Sequence, residues 1–510
     1  MRPRINKIQK RQLGRLTART YDIPAPVGGL NTRDSLSVMP PTDAIQLINL
    51  IPQQNGVISR HGYEPASDDY TGNVETLIPY IQGTDQYFIA GADGELWTDD
   101  GTTATSIGSG FGSDIWDGVK LGINMVLVNG ADAPRNWNGS ALTTPSFSGD
   151  LATYGTSNID GIHKHKNRVY MWDTGYPNFF YGDTNSVSGS FAEFPLSSVS
   201  DTSGNIIEVK TISQDSGNGP DDYLAFFLHT GEVIIYQGSD PSDATNWSLV
   251  GKYKAPPLIG KRCATEFAGD ILMLTKQDVV KLSNVIRYTN EEGGFNVQPS
   301  KLSGAIANNY NTYSSNFGFS IMGYSKAGWI IINIPYAAGS EYSQYVINTT
   351  TGAACQFTGW NAITFGVLGD NLYFGADQLY KANSGFDDNG SDINLLAQQA
   401  FSNFMSGNKK KVSNARLYIA SDGELSIALA MGFDFSFPNP QGVQSSTTVG
   451  AEWDVASWDT ADWASTQARL INFVTGGIGV HVGLQISLQI QGQIINWFAT
   501  TYNYDMAEAY

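Results

Sequence analysis

Between residues 77 and 384 the chain repeats one local pattern seven times: an apolar or aromatic strand, a polar or glycine-containing turn, then a second strand often ending in Trp or Tyr. The copies are Gln86 to Trp97 (QYFIAGADGELW), Asn124 to Trp137, Asn167 to Tyr181, Asp222 to Tyr236 (DYLAFFLHTGEVIIY), Asp270 to Leu282, Gly328 to Val346 and Asp370 to Tyr380. Their starts lie 38 to 58 residues apart, near the ~40–50-residue blade period of propellers. A lone hairpin is marginal in water, and radial stacking lets each sheet bury its faces against its neighbours. The spacing therefore predicts a mainly β protein, a β-propeller of about six to eight blades. The competing architecture is a pair of β-sandwiches.

The two ends read differently. Residues 1 to 19 carry seven bases and no acid, so the rest of the chain holds 23 bases against 48 acids within an overall charge of −18. Within this basic arm (1–20) Ile5, Ile8, Leu13 and Leu16 lie on an approximate helical stripe, with Arg11 and Arg15 among the bases off it. An arm without a core of its own becomes ordered on a neighbour. Docking to a partner is the expectation, against the plainer reading of a solvated tail. An acidic body argues against a surface that grips nucleic acid or an anionic membrane.

Beyond residue 384, Ile393, Leu396, Ala397, Ala400, Phe401 and Phe404 fit a helical template and predict a helix over 392–405. Ala415 to Ala430 and Gly477 to Ile495 alternate as strands, with Asp422-Gly423 as a hairpin turn signal. Trp453, Trp458 and Trp463 recur every five residues, which fits neither a helix nor a strand face. They read as anchors of an irregular loop on a partner surface.

Catalytic constellations are sparse. His163 and His165 place two imidazoles on one strand face without further marked ligands. Asp221-Asp222 and Asp387-Asp388 read as turn acids. No nucleophile elbow, phosphate loop or paired-cysteine zinc pattern occurs. The repeated Ser-x-Asp-x-Gly-x-x-Trp box of sialidase propellers is also missing. No catalytic residue, metal or cofactor is expected. Cys263 and Cys355 cannot supply a disulfide framework, which fits assembly in a reducing cytoplasm. No secretory signal and no membrane span are expected.

Residues 26 to 63 contain Pro26-Val-Gly28-Gly29-Leu-Asn31-Thr-Arg33-Asp34, Met39-Pro40-Pro41-Thr-Asp43-Ala44, Asn49-Leu-Ile-Pro52 and Gly56-Val-Ile-Ser-Arg60-His-Gly62-Tyr63. This series resembles the opening of the tail nozzle proteins of short-tailed bacteriophages, the tail tubular protein B type. Lys409-Lys410-Lys411 leading into Ala415-Arg416-Leu417, the Trp-Asp repeats, and Gln493-Ile-Ile-Asn-Trp497-Phe498 look like that family's closing region. The resemblance implies a virion tail component assembled in the host bacterial cytoplasm. It implies a homohexameric ring below the dodecameric head-to-tail adaptor, through which double-stranded DNA is ejected without specific binding, and possible contact with tail fibres. It also implies that the ends pack together as a platform (21–76 and 385–510) carrying the propeller (77–384), and that the 392–405 region is strand. An acidic wall would repel a duplex and let it slide, although ordinary solubility explains the same acidity. The alternatives are a propeller-type tail glycosidase or depolymerase, and a fibre- or receptor-binding propeller.

Overall fold

The computed structural model describes residues 19–215, 220–288, 298–337, 339–423, 425–445 and 467–507. It is mainly β. The arm residues Ile5, Ile8, Arg11, Leu13, Arg15 and Leu16, and the tryptophans Trp453, Trp458 and Trp463, lie outside the described residues.

Six small sheets and the first four strands of a ten-stranded one make the seven blades of a propeller. Each of the seven sequence hairpins supplies the second and third strands of one blade. In blade 1, for example, Asp85–Ala92 and Glu95–Asp99 stand between the inner strand Val74–Gln82 and the outer strand Ala104–Ser109. The inner strands of blades 2 to 7 are Asp117–Leu121, Gly161–His165, Ile206–Asp215, Ala264–Phe267, Ser320–Tyr324 and Thr364–Leu368. Each inner strand packs on the next, and the seventh packs on the first, so the ring is closed. The middle strands are buried on both faces, as in Arg168–Trp172, where all five residues are buried. Neighbouring blades cover both sides of such a strand, which is why Val169–Trp172 is an unbroken apolar run rather than an alternation.

Blade 7 takes its outer strand from far upstream. Tyr63–Ser67 pairs antiparallel with Leu379–Ala382, Tyr63 opposite Ala382 and Ser67 opposite Leu379. The chain thus joins the propeller before the boundary at residue 77, and the early strand closes the ring. Blade 5 has three strands, and the helix Leu282–Tyr288 follows its last one.

Two larger sheets form the platform. The front sheet runs Gln467–Gly479, Lys410–Ser421, Ile495–Met506, Val57–Ser59, Leu50–Pro52, with Arg19–Pro24 beside Ile495–Met506. The back sheet continues the outer strand of blade 6, Ala354–Phe357, into Asp43–Ile48, Ile393–Gln399, Val482–Ile490, Leu425–Phe433 and Gln441–Ser445. Leu417, Ile419, Ile471, Phe473 and Tyr502 of the front sheet and Ile427, Leu429, Leu484 and Ile486 of the back sheet belong to one core, which runs on into blades 4 to 7. Platform and propeller share that core.

Two expectations for the carboxyl-terminal part are corrected. Residues 392–405 form no helix: Ile393–Gln399 is a strand with Ile393, Leu395 and Ala397 buried at period two, pairing with both Asp43–Ile48 and Val482–Ile490. The helical template had counted Leu396, which faces outward, and Phe401 and Phe404, which are buried from the loop that follows. Pairing on both sides overrides a weak local periodicity. Asp422-Gly423 does reverse the chain, but the flanking strands do not pair. Lys410–Ser421 belongs to the front sheet and Leu425–Phe433 to the back sheet, so the turn arches across the sandwich.

Candidate functional site: junction, propeller axis and platform faces

The residues carrying the sequence resemblance build the joint between platform and propeller. Arg60 is 1% exposed and uses all five of its N–H groups. Nε donates to Asn49 Oδ1 at 2.8 Å, Nη1 to the His61 carbonyl and Asp388 Oδ1, and Nη2 to the Thr358 carbonyl and Asp388 Oδ2 at 2.6 Å. The guanidinium also lies over the Trp360 ring, 5.2 Å from its centroid. Asn49 ties the node onward, donating to Thr358 Oγ1 and to the Asn394 carbonyl. One ion pair thus joins the amino-terminal segment, the end of blade 6 and the return from blade 7 into the platform. Asp388 opens the turn that the sequence suggested, its carbonyl accepting from the Ser391 N–H, and its carboxylate is also a buried structural group. Asp387 does serve a turn, accepting from the Gly390 N–H.

Gly359 makes the node possible. Its φ is +97°, and a Cβ there would stand 2.5 Å from Asp388 Oδ2. Gly359→Ala is expected to cost about 1–3 kcal/mol, read as a lower denaturation midpoint.

A second node fixes the Gly28–Asp34 loop. Buried Asp43 accepts from Asn31 Nδ2 and from Lys301 Nζ, each at 2.8 Å. Hydrogen bonds from Arg33 and Asn31 pull the Asp34 carboxyl down to about 2.

The propeller axis is bolted shut at the end where the inner strands begin. In a seven-fold ring blades 1 and 2 stand across the axis from blade 5. Arg262, next to the start of blade 5's inner strand and held at φ 61°, reaches both. Its Nη1 donates to the Glu75 carbonyl at 3.0 Å, and its Nη2 to Thr76 Oγ1 at 2.9 Å and the Trp116 carbonyl at 3.0 Å. Its backbone N–H donates to Glu208 Oε2 on blade 4. Glu208 pairs with Lys210 at 3.4 Å, and Lys261 with Asp160 at 3.5 Å. Burial acts to lower the Lys210 ammonium, yet Glu208, Asp117 and Glu266 hold it above its ordinary value. Beside it lies a small cavity of about 90 Å3 lined by Trp116, Asp117, Glu208, Lys210, Arg262 and Phe319. That is room for a few waters. Acids and bases here are spent on one another and on the backbone.

His163 and His165 share one face of blade 3's inner strand, as their spacing predicted. His163 Nε2 lies 2.9 Å and His165 Nδ1 3.1 Å from the same Thr211 hydroxyl. Among the described residues no group of three His, Cys, Asp or Glu could hold a metal ion. Burial, with Lys166 nearby, pulls His165 down to about 4, and burial with Lys210 and His165 pulls His163 well below its ordinary value. Between pH 6.5 and 4 the unfolded His165 imidazole is protonated while the folded one stays neutral. The unfolded state therefore binds more protons, and stability falls as pH drops through that window. His165→Gln is expected to flatten the decline by up to about 1.4 kcal/mol per pH unit, measured as denaturation midpoints at pH 7, 6 and 5.

Among the described residues the platform presents two dissimilar uncovered faces. Tyr418, Leu470, Val474 and Ile478 project from the outer face of the front sheet. The outer face of the back sheet holds an open trough of about 670 Å3 lined by residues such as Ile48, Asn394, Leu396, Ser426, Ala428 and Ser487. Sequence reading singled out neither. Leu470-Ile471 and Phe473-Val474 did carry a signal, since apolar neighbours in a strand imply that both faces are covered. Arg262 carried none.

No family model and no curated protein matches the chain. Solved structures with some similarity include BBS1N in complex with ARL6DN (7% identity, TM-score 0.39, covering 63% of this chain and 96% of that one). A putative 6-phosphogluconolactonase from Bacteroides fragilis matches at 11% identity and TM-score 0.34, covering 68% and 91%. An exo-beta-1,3-galactanase from Phanerochaete chrysosporium matches at 9% identity and TM-score 0.25, covering 87% and 100%. At these values no activity passes to this chain. Among the described residues no helix is long and apolar enough to cross a membrane.

Proposed function

We propose that this chain is a structural component of a short-tailed bacteriophage tail, a nozzle subunit whose copies close into a ring below the head-to-tail adaptor and convey double-stranded DNA. It acts without catalysis. The observation that carries this reading is the bolted propeller axis. Propellers surround a central channel, and here Arg262 crosses it, with a cavity of about 90 Å3 beside it. Neither a duplex nor a polysaccharide fits such a space, so the work falls to the outer surfaces and any conduit lies between copies. A closed ring of identical subunits needs two different complementary patches on each. The platform, made from both chain ends, offers two unlike faces on opposite sides. The acidic body supports passage of DNA rather than its capture.

The test is the mass of the purified full-length protein in solution, alone and with the adaptor. The expected result is a ring-sized particle in at least the second mixture. Monomers in both would refute the reading.

A further inference from the structure

Among the described residues, the front-sheet strand Gln467–Gly479 is the edge of its sheet, pairing only with Lys410–Ser421. Its inward residues Ile471 and Phe473 join the core, at 5% and 6% exposure. Its outward positions are Leu470, Asn472, Val474, Gly476 and Ile478, of which Leu470 is 48%, Val474 80% and Ile478 55% exposed. Residues 470 and 478 are eight positions apart, so at ~3.4 Å per residue this is a ridge about 27 Å long. A strand apolar on both faces is normally covered on both faces, and the described residues of this chain cover one. Lys411 and Arg416 flank the ridge, opposite Ile478 and Asn472 in the register.

The outer face of the back sheet has the converse relief. Ile48, Leu396, Ser487, Ala428 and Gly442 pair in succession across five strands, forming one transverse row. Five strands at ~4.8 Å spacing give a row about 19 Å long. Its side chains shrink from isoleucine to glycine. Taller amides wall it, Gln398 bonding Gln485 at 3.0 Å and Gln489 bonding Asn394 at 2.7 Å. No ionisable side chain stands in the row or in these walls. Asp392 sits at the rim, the sign that Lys411 and Arg416 require.

We propose that the occupant of this trough is a second copy of the chain: the ridge Leu470–Val474–Ile478 of one subunit seats across the Leu396–Ser487–Ala428 row of the next. This names the contact for the ring proposed above and rests on that reading. The fit is one of shape and of missing charge. A nucleic acid finds no cation in the trough, and burying a charge against the ridge would be costly. Ridge and trough lie on opposite faces of one sandwich, so the contact is head-to-tail and each subunit uses both halves.

The experiment uses full-length protein and light scattering at a fixed concentration. Val474→Lys and Ala428→Glu, each alone, are expected to weaken association at least tenfold. Combined in one chain they are expected to restore it, because each Lys then meets a Glu. Ser426→Glu, an exposed position in the same trough, repeats the second arm should Ala428→Glu fail to fold. Ile123→Asp, exposed on the propeller, is expected to change nothing. A wild type that associates neither alone nor with the adaptor overturns the ring reading itself. A wild-type ring that survives both single charges, or single defects that the pair does not repair, overturns this contact and leaves the ring standing.

Discussion

Arg60→Ala is expected to destabilise the protein by about 3–5 kcal/mol, the cost of leaving a buried carboxylate without its partner. Asp388 is 8% exposed and takes two hydrogen bonds from that guanidinium. With Arg60 removed, its charge has neither water nor cation, and Asn49 and the Thr358 carbonyl each lose a donor. Arg60→Lys is expected to recover little, since one ammonium cannot span Asn49, Asp388 and Thr358 together. Asp388→Ala added to Arg60→Ala should cost far less than Asp388→Ala alone, because both remove the same pair. Denaturant titrations of the four proteins measure this. An Arg60→Ala variant within about 0.5 kcal/mol of wild type would mean that the joint is held by the shared core instead.

Arg262→Met is expected to cost about 2–4 kcal/mol, with a distinctive distribution. Three acceptors on blades 1 and 2 lose their donor, at about 1–3 kcal/mol for each one that water fails to reach. Glu208 loses the backbone-anchored cation beside it. The methionine stem keeps most of the packing, so the loss reports the polar crossing. Native-state hydrogen exchange should quicken around Glu75–Leu77 and Trp116–Gly118, the segments Arg262 holds from across the axis. Platform strands such as Val482–Ile490 should keep their protection. Uniform acceleration over the whole chain would count against a local bolt.

How much of this was legible in the sequence follows from what covers each strand. The blades were visible because their middle strands are covered on both sides, so runs such as YLAFF and VIIY stand out in a glycine-rich chain. The closing strand Tyr63–Ser67 was invisible: YEPAS is polar and exposed at two of its five positions, and its partner lies hundreds of residues on. The platform misled for a related reason. Asp422-Gly423 signals that the chain turns, but local sequence does not say whether the next strand pairs alongside or packs opposite. In Ile393–Gln399 a period-two strand passed for a helix because Leu395 and Leu396 are both apolar, one facing the core and the other the trough.

The site was legible in part. Asn49, Arg60, Gly62 and Tyr63 stood out as a block, but their partner Asp388 is 328 positions from Arg60, and two adjacent aspartates near a glycine read as a turn. Arg262 lies between Lys261 and Cys263 with no periodicity around it, and only ring closure brings blades 1 and 2 opposite it. The histidine pair was placed on one face, as its spacing demanded.

The most direct measurement is an image of the assembled particle viewed down its symmetry axis. The expected image is a closed ring of identical subunits around an opening that admits a double helix, with every propeller axis crossed by Arg262. Isolated molecules, or a ring whose centre is filled by protein while an open passage threads each propeller, would contradict it.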